Sequence, residues 1–240
     1  MVFFMAHVVR TNEDLLALLD SLLRNETDFW QDFYENREKG IPFFVNAPDE
    51  NLSKWFEQGL IKPARVLELG CGPGRNAIYM AKEGSEVIAV DLSEKALIWA
   101  KERMESTGVT VDFRLRSVFS LSDLEDGSLD FIYDAGCLHH IPPHRRPDYL
   151  ALLKRLLKKD GRFGLVCFRP EGGSGFSDIE VYEKKTMKGG LGFDQSELEG
   201  IFFPDFEVIE MRQMEDCPKD GSVFGRSFLW VALFQRRNES

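Results

Sequence analysis

The sequence predicts an α/β fold with a doubly wound, mostly parallel sheet, on three observations. Residues 65–91 run from an apolar strand through a glycine-rich turn and a helix-compatible stretch to a second apolar strand. Strand-like and helix-like segments then alternate as far as residue 203, as an α/β domain requires. Two strand-like runs, at residues 206–212 and 228–235, follow without a helix between them. A chain of 240 residues, 43% of them hydrophobic, suits one domain with appended elements.

The segment ahead of the sheet reads as helices joined by an aromatic connection. Thr11 and Asp14 form a capping-box pattern, and leucines recur behind them at helical spacing. Pro63 breaks the chain before the first strand. We therefore divide the chain into an N-terminal segment, 1–62, and a core, 63–240. The predicted elements of the first part are a helix at 11–23, an aromatic connection at 29–44 and a helix at 50–58.

Apolar periodicity and helix signals define the other elements of the core. Ser93 is the expected N-cap of a helix with Glu94 in its first turn. A stripe of leucines marks a later helix that ends at Asp160-Gly161. The predicted elements are helices at 93–106, 144–159 and 194–203, and strands at 110–116, 129–135 and 162–168.

The most specific motif is the glycine-rich turn after the first strand. It contains Gly70, Gly72 and Gly74, and the strand that follows ends on Asp91. Glycine permits a sharp turn, or removes a Cβ so that a ligand can lie against the backbone. An acid at the end of the second strand is placed to bind the two hydroxyls of a ribose. The layout predicts a ligand that contains adenosine.

The spacing of the glycines distinguishes between nucleotide ligands. A nicotinamide fingerprint needs a small residue at position 75, which is Arg75, whereas here the third glycine comes early, at Gly74. An acid, Glu68, precedes the first glycine by two residues, and the phosphate-binding pattern G-x-x-x-x-G-K-[ST] is absent. A degenerate dinucleotide site or a chance glycine-rich turn stays open as the alternative.

The pattern E-x-G-x-G-x-G, with a following strand that ends in Asp91, resembles motif I of class I S-adenosylmethionine-dependent methyltransferases. The resemblance implies a Rossmann-like sheet of seven strands with an antiparallel last strand, which the terminal strand pair fits. It implies S-adenosyl-L-methionine as the cofactor, with Cys71 contacting it through the backbone. The cofactor-binding residues that it implies are Glu68, Gly70, Cys71, Gly72, Gly74, Asp91, Leu92, Ser117, Val118, Phe119, Asp134 and Ala135.

A second motif, residues 134–140, directly follows the fourth predicted strand. Open α/β sheets bind ligands at the carboxyl ends of their strands, so this loop faces the same crevice as the glycines. It is similar to the D-x-x-x-L-H-H segment of small-molecule methyltransferases. That likeness implies that Asp134 and Ala135 line the methionine end of the cofactor. We expect His139 to deprotonate or orient the acceptor and His140 to act as an orienting residue. A structural role for one of the two imidazoles stays open.

Aromatic residues of the N-terminal segment are candidates for the acceptor site. In the family this segment often folds over the cofactor as a lid, and a lid excludes water. Packing and substrate binding are equally open for these side chains. The glycine-rich segment 169–192 is either the acceptor rim or a surface connection. The candidate substrate-binding residues are Trp30, Phe33, Tyr34 and Phe43.

Composition limits the classes of partner. The formal charge of −10 argues against nucleic acid, whose phosphates require a basic face. The four cysteines show no ligand spacing, and residues 2–9 are too short for a membrane span or a leader, so we expect a cytoplasmic protein with no membrane partner. We predict no metal, because Pro142 and Pro143 prevent a helix that aligns His140 with His144.

The predicted function is methyl transfer to a small thiol, amine or oxygen nucleophile by in-line displacement, in a monomer or homodimer. Gly74-Arg75-Asn76 and residues 41–43 look like the thiopurine/tellurite-resistance-like branch, although residues 117–119 lack the acid with which many relatives bind adenine. The N-P-P-[FY] motif of base and amide methylation is missing. A non-catalytic S-adenosylmethionine-binding protein and an NAD(P)-dependent oxidoreductase remain alternatives.

Overall fold

Seven strands form one sheet in the computed structural model, which describes residues 8–237. The sheet has the order β3-β2-β1-β4-β5-β7-β6. β7 runs antiparallel to β5 and β6, and the other neighbouring pairs are parallel. This confirms the predicted fold class. In chain order the strands are β1 (Arg65–Leu69), β2 (Glu86–Asp91), β3 (Asp112–Leu115), β4 (Leu129–Ala135), β5 (Leu157–Phe168), β6 (Phe206–Gln213) and β7 (Leu229–Arg236).

Helices cover both faces of the sheet and extend over its carboxyl edge. Three short 3-10 turns, Pro42–Phe44, Leu138–His140 and Pro143–Arg145, lie in the connections. None of the helices described is long and apolar enough to cross a membrane. The helices are α1 (Asn12–Asp20), α2 (Glu26–Phe33), α3 (Glu50–Glu57), α4 (Arg75–Lys82), α5 (Glu94–Glu105), α6 (Arg146–Leu156), α7 (Asp178–Glu183) and α8 (Gln195–Phe202).

The hydrophobic core has two layers because successive residues of each strand point to opposite faces. Leu67 and Leu69 belong to one buried cluster, whereas Val66 belongs to the other. At the switch point, β1 lies between β2 and β4 and pairs with both in parallel. The carboxyl end of β1 therefore opens into a crevice, as expected for a doubly wound sheet.

The N-terminal helices attach to the core in different ways. The carboxylate of Glu50 in α3 accepts two hydrogen bonds from Arg212 of β6, and the Trp55 indole donates to Glu210 at 2.8 Å. α1 and α2 contain no fully buried residue. The predicted capping box of Thr11 and Asp14 is present. The apolar start of the chain, up to residue 7, lies outside the described residues.

Several predicted elements need correction. The aromatic connection contains a helix, α2, because Asn25 caps it through the backbone N–H of Asp28. The helix predicted at 144–159 ends at Leu156, since Leu157 already pairs with Leu129 as the start of β5. No helix separates β3 from β4 in the described chain. The segment 169–192 contains α7, which begins with its own capping box.

Candidate active site

A cleft of about 1800 Å³ opens at the carboxyl ends of β1, β2 and β4. It brings together every residue predicted for the site except Gly74 and Asp134. Gly172 and Gly189 of the segment 169–192 also line it. The predicted residues in its wall are Trp30, Phe33, Tyr34, Phe43, Glu68, Gly70, Cys71, Gly72, Asp91, Leu92, Ser117, Val118, Phe119, Ala135, His139 and His140.

Gly70 and Gly72 let the turn after β1 pass closely beneath the cleft. Their φ angles, 64° and 50°, lie in the left-handed region that glycine adopts without strain. A Cβ on Gly72 would stand 2.7 Å from the Tyr34 hydroxyl oxygen, so a larger residue would have to displace the Tyr34 side chain. Burial raises the pKa of the Cys71 thiol well above its usual range. Cys71 therefore stays protonated and is no nucleophile.

Gly74 packs the helix that follows, while its neighbours Pro73 and Arg75 line the cleft; its contact with the cofactor stays a prediction. It begins α4 with a φ of 75°. A Cβ at this position would lie 2.8 Å from Phe113 Cζ and 2.9 Å from Ala100 Cβ. These atoms belong to β3 and α5, so the missing side chain lets α4 approach the sheet closely.

Glu68 is a buried acid with spare hydrogen-bonding capacity in the cleft wall. It is 2% exposed, and Oε2 has no hydrogen-bond partner in the described part of the chain. Burial raises the pKa of Glu68 to about 8, although the neighbouring Arg75 acts in the opposite direction. Since buried polar atoms are normally paired, this oxygen fits a donor supplied by a ligand, such as an ammonium group.

Asp91 ends β2 and ties the glycine turn to the next helix. Oδ2 accepts the backbone N–H of Gly72 at 2.8 Å, and Oδ1 accepts that of Ser93 at 2.8 Å. Burial raises the pKa of Asp91 to about 6, partly offset by these backbone hydrogen bonds. Each carboxylate oxygen accepts more than one donor, so capacity remains for two ribose hydroxyls.

Asp134 shapes the loop after β4 from beneath and is not among the residues that line the cleft; its contact with the cofactor stays a prediction. Oδ1 accepts the backbone N–H groups of Gly136 and Cys137 at 3.0 and 2.7 Å. Oδ2 accepts the N–H of Leu138 at 3.0 Å and the hydroxyl of Tyr149 at 2.6 Å. Burial raises the pKa of Asp134 to about 6. Its carboxylate thus holds the turn that carries both histidines.

His139 is fixed in position by β5. Its Nδ1 accepts the backbone N–H of Phe168 at 3.2 Å, and its ring stacks on the Phe168 ring with 3.7 Å between centroids. Burial lowers the pKa of His139 to about 3, so the ring is neutral. With Nδ1 engaged as an acceptor, the ring proton lies on Nε2. A neutral ring with Nδ1 engaged disfavours the predicted role of His139 as a base; that role and one in orienting the acceptor stay predictions.

His140 lies next to Trp30 at the same end of the cleft. The two rings meet edge to face, with 4.7 Å between centroids and 82° between planes. Nδ1 of His140 is buried and has no partner in residues 8–237. Burial, followed by the neighbouring His139, lowers the pKa of His140 well below its usual range. This imidazole is neutral and presents an unused nitrogen.

The other predicted aromatic residues both pack the N-terminal segment and line the cleft. Phe33 stacks on Phe43 with 6.0 Å between centroids, and Phe44 joins this cluster to Trp99 of α5 at 5.1 Å. Tyr34 instead lies over the glycine turn. A role of these side chains in packing the N-terminal segment therefore does not exclude a role in lining the cleft.

The far end of the cleft contains the loop after β3 and residues that the sequence did not reveal. Phe119 is 38% exposed there, and the Arg145 guanidinium lies 5.7 Å from its ring. Asp20 at the end of α1 accepts hydrogen bonds from Arg145 and pairs with His144 at 2.7 Å. These partners are more than 120 residues apart in the chain, so no local pattern predicts them.

Arg75, which argues against a nicotinamide site, is buried beside the glycine turn. It forms an ion pair with Asp49 at 2.7 Å and donates to the Ala47 carbonyl at 3.1 Å. It thereby joins the N-terminal segment to the start of α4. Within the described residues there is no group of three or more His, Cys, Asp or Glu side chains able to hold a metal ion.

Comparisons with known proteins identify the family. A methyltransferase domain family matches residues 66–161. An uncharacterized methyltransferase of Schizosaccharomyces pombe is 34% identical over 103 residues, which cover 43% of this chain and 70% of the relative. The chain therefore belongs to the S-adenosylmethionine-dependent methyltransferases, and its cofactor is S-adenosylmethionine. The orphaned oxygen of Glu68 and the close approach at Gly72 fit that cofactor.

Two solved structures share the fold at low sequence identity. The 1,6-didemethyltoxoflavin-N1-methyltransferase of Burkholderia thailandensis, with bound 1,6-didemethyltoxoflavin and S-adenosylhomocysteine, superposes with a TM-score of 0.63 at 22% identity. The likeness covers 99% of both chains. TehB from Haemophilus influenzae has a TM-score of 0.59 at 19% identity, covering 82% of this chain and 64% of TehB. The predicted class I methyltransferase fold is confirmed.

Proposed function

We propose that the protein transfers a methyl group to a small molecule bound between α2 and the loop after β4. The observation that carries the proposal is the size of the cleft. Its volume of about 1800 Å³ exceeds the roughly 300–1,000 Å³ of an ordinary small-ligand pocket. It therefore has room for a cofactor at the glycine turn and an acceptor beside it.

Each end of S-adenosylmethionine would contact a different part of the cleft wall. Glu68 and the turn from Gly70 to Gly72 would hold the methionine portion, with its carboxylate near the N-terminal end of α4. Asp91 would bind the ribose hydroxyls, and residues 117–119 would flank adenine. When bound, S-adenosylmethionine supplies an electrophilic methyl group on a sulfonium.

The methyl acceptor would bind among Trp30, His139 and His140. The nucleophile loses a proton and forms a bond to the methyl carbon while the carbon–sulfur bond breaks, so the cofactor leaves as neutral S-adenosylhomocysteine. His140 has a free nitrogen that can accept a hydrogen bond from the nucleophile, whose proton is released to water. Because alignment of the nucleophile and the methyl group can lower the activation barrier by about 7–11 kcal/mol, no covalent catalyst is required.

Two further points support a small-molecule acceptor. The structural relative from Burkholderia thailandensis is a methyltransferase with a small ring compound bound. The N-terminal segment, residues 1–62, is proposed as the lid, since α1, α2 and the aromatic cluster contribute much of the cleft wall. A covered cleft excludes water from the reacting atoms and leaves little room for a macromolecular acceptor.

The proposal is tested with S-adenosylmethionine that carries a labelled methyl group and a panel of thiols, phenols and nitrogen heterocycles. Transfer of label to a small molecule, lost in Trp30→Ala, supports it. A folded protein that binds S-adenosylhomocysteine tightly but methylates nothing in the panel would favour the non-catalytic alternative.

A further inference from the structure

The two adjacent histidines present different hydrogen-bonding atoms to the acceptor end of the cleft. Nδ1 of His139 is occupied by the backbone N–H of Phe168 at 3.2 Å. That hydrogen bond requires a lone pair on Nδ1, so the neutral ring carries its proton on Nε2. Backbone geometry, rather than solvent or pH, therefore sets the tautomer.

His139 lines the cleft, so its Nε2–H belongs to a side chain of the cleft wall. The neighbouring Cδ2 packs against Gly190, since it lies only 2.9 Å from the position of a Cβ on that glycine. Nε2 lies 3.8 Å from the position of a Cβ on Gly136, a residue of the cleft wall with no side chain to cover it. No hydrogen bond joins Nε2 to any residue of the segment 8–237, which leaves this donor for a ligand.

The rings around this donor favour a flat ligand. Phe168 stacks on His139, and the centroid of the His140 ring lies 4.4 Å from that of His139. Trp30 adds its indole beside His140. Beside Trp30, Arg24 and Glu26 form a two-point ion pair, and the indole donates to Glu26 at 3.1 Å. An uncharged ring is complementary to these surroundings.

We propose that His139 is a specificity-determining hydrogen-bond donor, which selects acceptors that carry a lone-pair atom next to the nucleophile. The donor at His139 meets a carbonyl oxygen or ring nitrogen, and the neighbouring N–H or O–H of the same ring faces His140. The substrate class is therefore a planar ring lactam or its enol form. This inference rests on the proposed methyltransferase site and adds the chemical class of its acceptor.

The tautomer is measured first, on the free protein, by long-range ¹H–¹⁵N correlation of the imidazole nitrogens. The chain has only four histidines, so single His→Gln variants assign the signals. We expect a protonated Nε2 on His139 with no titration between about pH 5 and 8. A protonated Nδ1, or a charged ring within that range, overturns the proposal without reference to any substrate.

The substrate class is measured by calorimetric titration of the protein saturated with S-adenosylhomocysteine. Isocarbostyril has an N–H beside a ring carbonyl, whereas indole has an N–H alone. We expect isocarbostyril to bind about tenfold more tightly than indole, the effect of one net hydrogen bond at a buried site.

Two substitutions at the same position separate the donor from the shape of the side chain. His139→Gln keeps a group that accepts from Phe168 and an N–H that donates, so the preference is retained. His139→Leu removes the donor, so the preference disappears while S-adenosylhomocysteine binds as before. Equal binding of both probes to the unmodified protein, or no binding of isocarbostyril, contradicts the inference. Failure of S-adenosylhomocysteine to bind contradicts the proposed function instead.

Discussion

Replacing Asp134 by Asn tests the role assigned to the loop after β4. Each carboxylate oxygen of Asp134 accepts two hydrogen bonds, four in all. The amide of Asn has one oxygen only, so it can accept two of the four. At the other end its NH₂ group faces the N–H of Leu138 and the hydroxyl of Tyr149. The hydroxyl can rotate and accept, whereas the Leu138 N–H is left without an acceptor. A stranded buried N–H costs about 1–3 kcal/mol.

The assay is chemical and thermal unfolding of the purified variant. A loss of about 1–3 kcal/mol lowers the Tm by about 2–12 °C in a domain of this size. The matched control is Asp126→Asn, because Asp126 is exposed and pairs with Arg155 at 2.8 Å on the surface. We expect the control to change the free energy of unfolding by less than about 0.5 kcal/mol.

Two results would exclude this role of Asp134. If Asp134→Asn is as stable as the control, the four hydrogen bonds do not hold the loop. If Asp134→Asn unfolds like the unmodified protein yet loses cofactor affinity, Asp134 contacts the cofactor directly, as the sequence predicted. We expect the folded variant to bind S-adenosylhomocysteine nearly as well as the parent, since Asp134 lies outside the cleft wall.

Three further predictions follow from the cleft. Asp91→Ala lowers the affinity for S-adenosylhomocysteine at least about tenfold by loss of the ribose acceptor; an unchanged affinity in calorimetry would remove that assignment. Gly74→Ala lowers the free energy of unfolding by about 1–3 kcal/mol more than the control Gly108→Ala. Both glycines have a φ of 75°, but only the Cβ added at Gly74 meets other atoms. Equal losses in the two variants would exclude the packing role of Gly74. Glu68 has a raised pKa of about 8 in the folded protein, whereas its usual pKa, that of the unfolded chain, is 4.5. Between about pH 6 and 8 the folded state therefore keeps a proton that the unfolded state has lost, and the stability of the free protein falls as the pH rises. Glu68→Gln flattens this slope in unfolding curves, and a slope that persists in the variant would assign it to another group.

The sheet and the glycine turn could be predicted because their signals are local. The apolar strands, the positive φ values at Gly70 and Gly72, and the cap at Ser93 depend on residues close in sequence. The end of α6 could not be predicted in the same way. Its last residues give way to β5 because Leu157 pairs with Leu129, and this contact exists only in the folded sheet.

The roles within the site depended on partners that are distant in sequence. The tautomer of His139 is set by the backbone of Phe168, 29 residues further along the chain. The carboxylate of Asp134 is engaged in part by the hydroxyl of Tyr149 on α6. Composition and spacing therefore predicted which residues gather at the cleft, but not which of their atoms are free to meet a ligand.

We propose that the turn from Gly70 to Gly72, with Glu68 and Asp91, is the S-adenosylmethionine site. The most direct test is calorimetric titration of the purified protein with S-adenosylmethionine, S-adenosylhomocysteine and NADH in parallel. We predict saturable binding of the two S-adenosyl compounds at one site per chain, weakened by Asp91→Ala, and no binding of NADH. Binding of NADH alone, or of none of the three, would contradict the account.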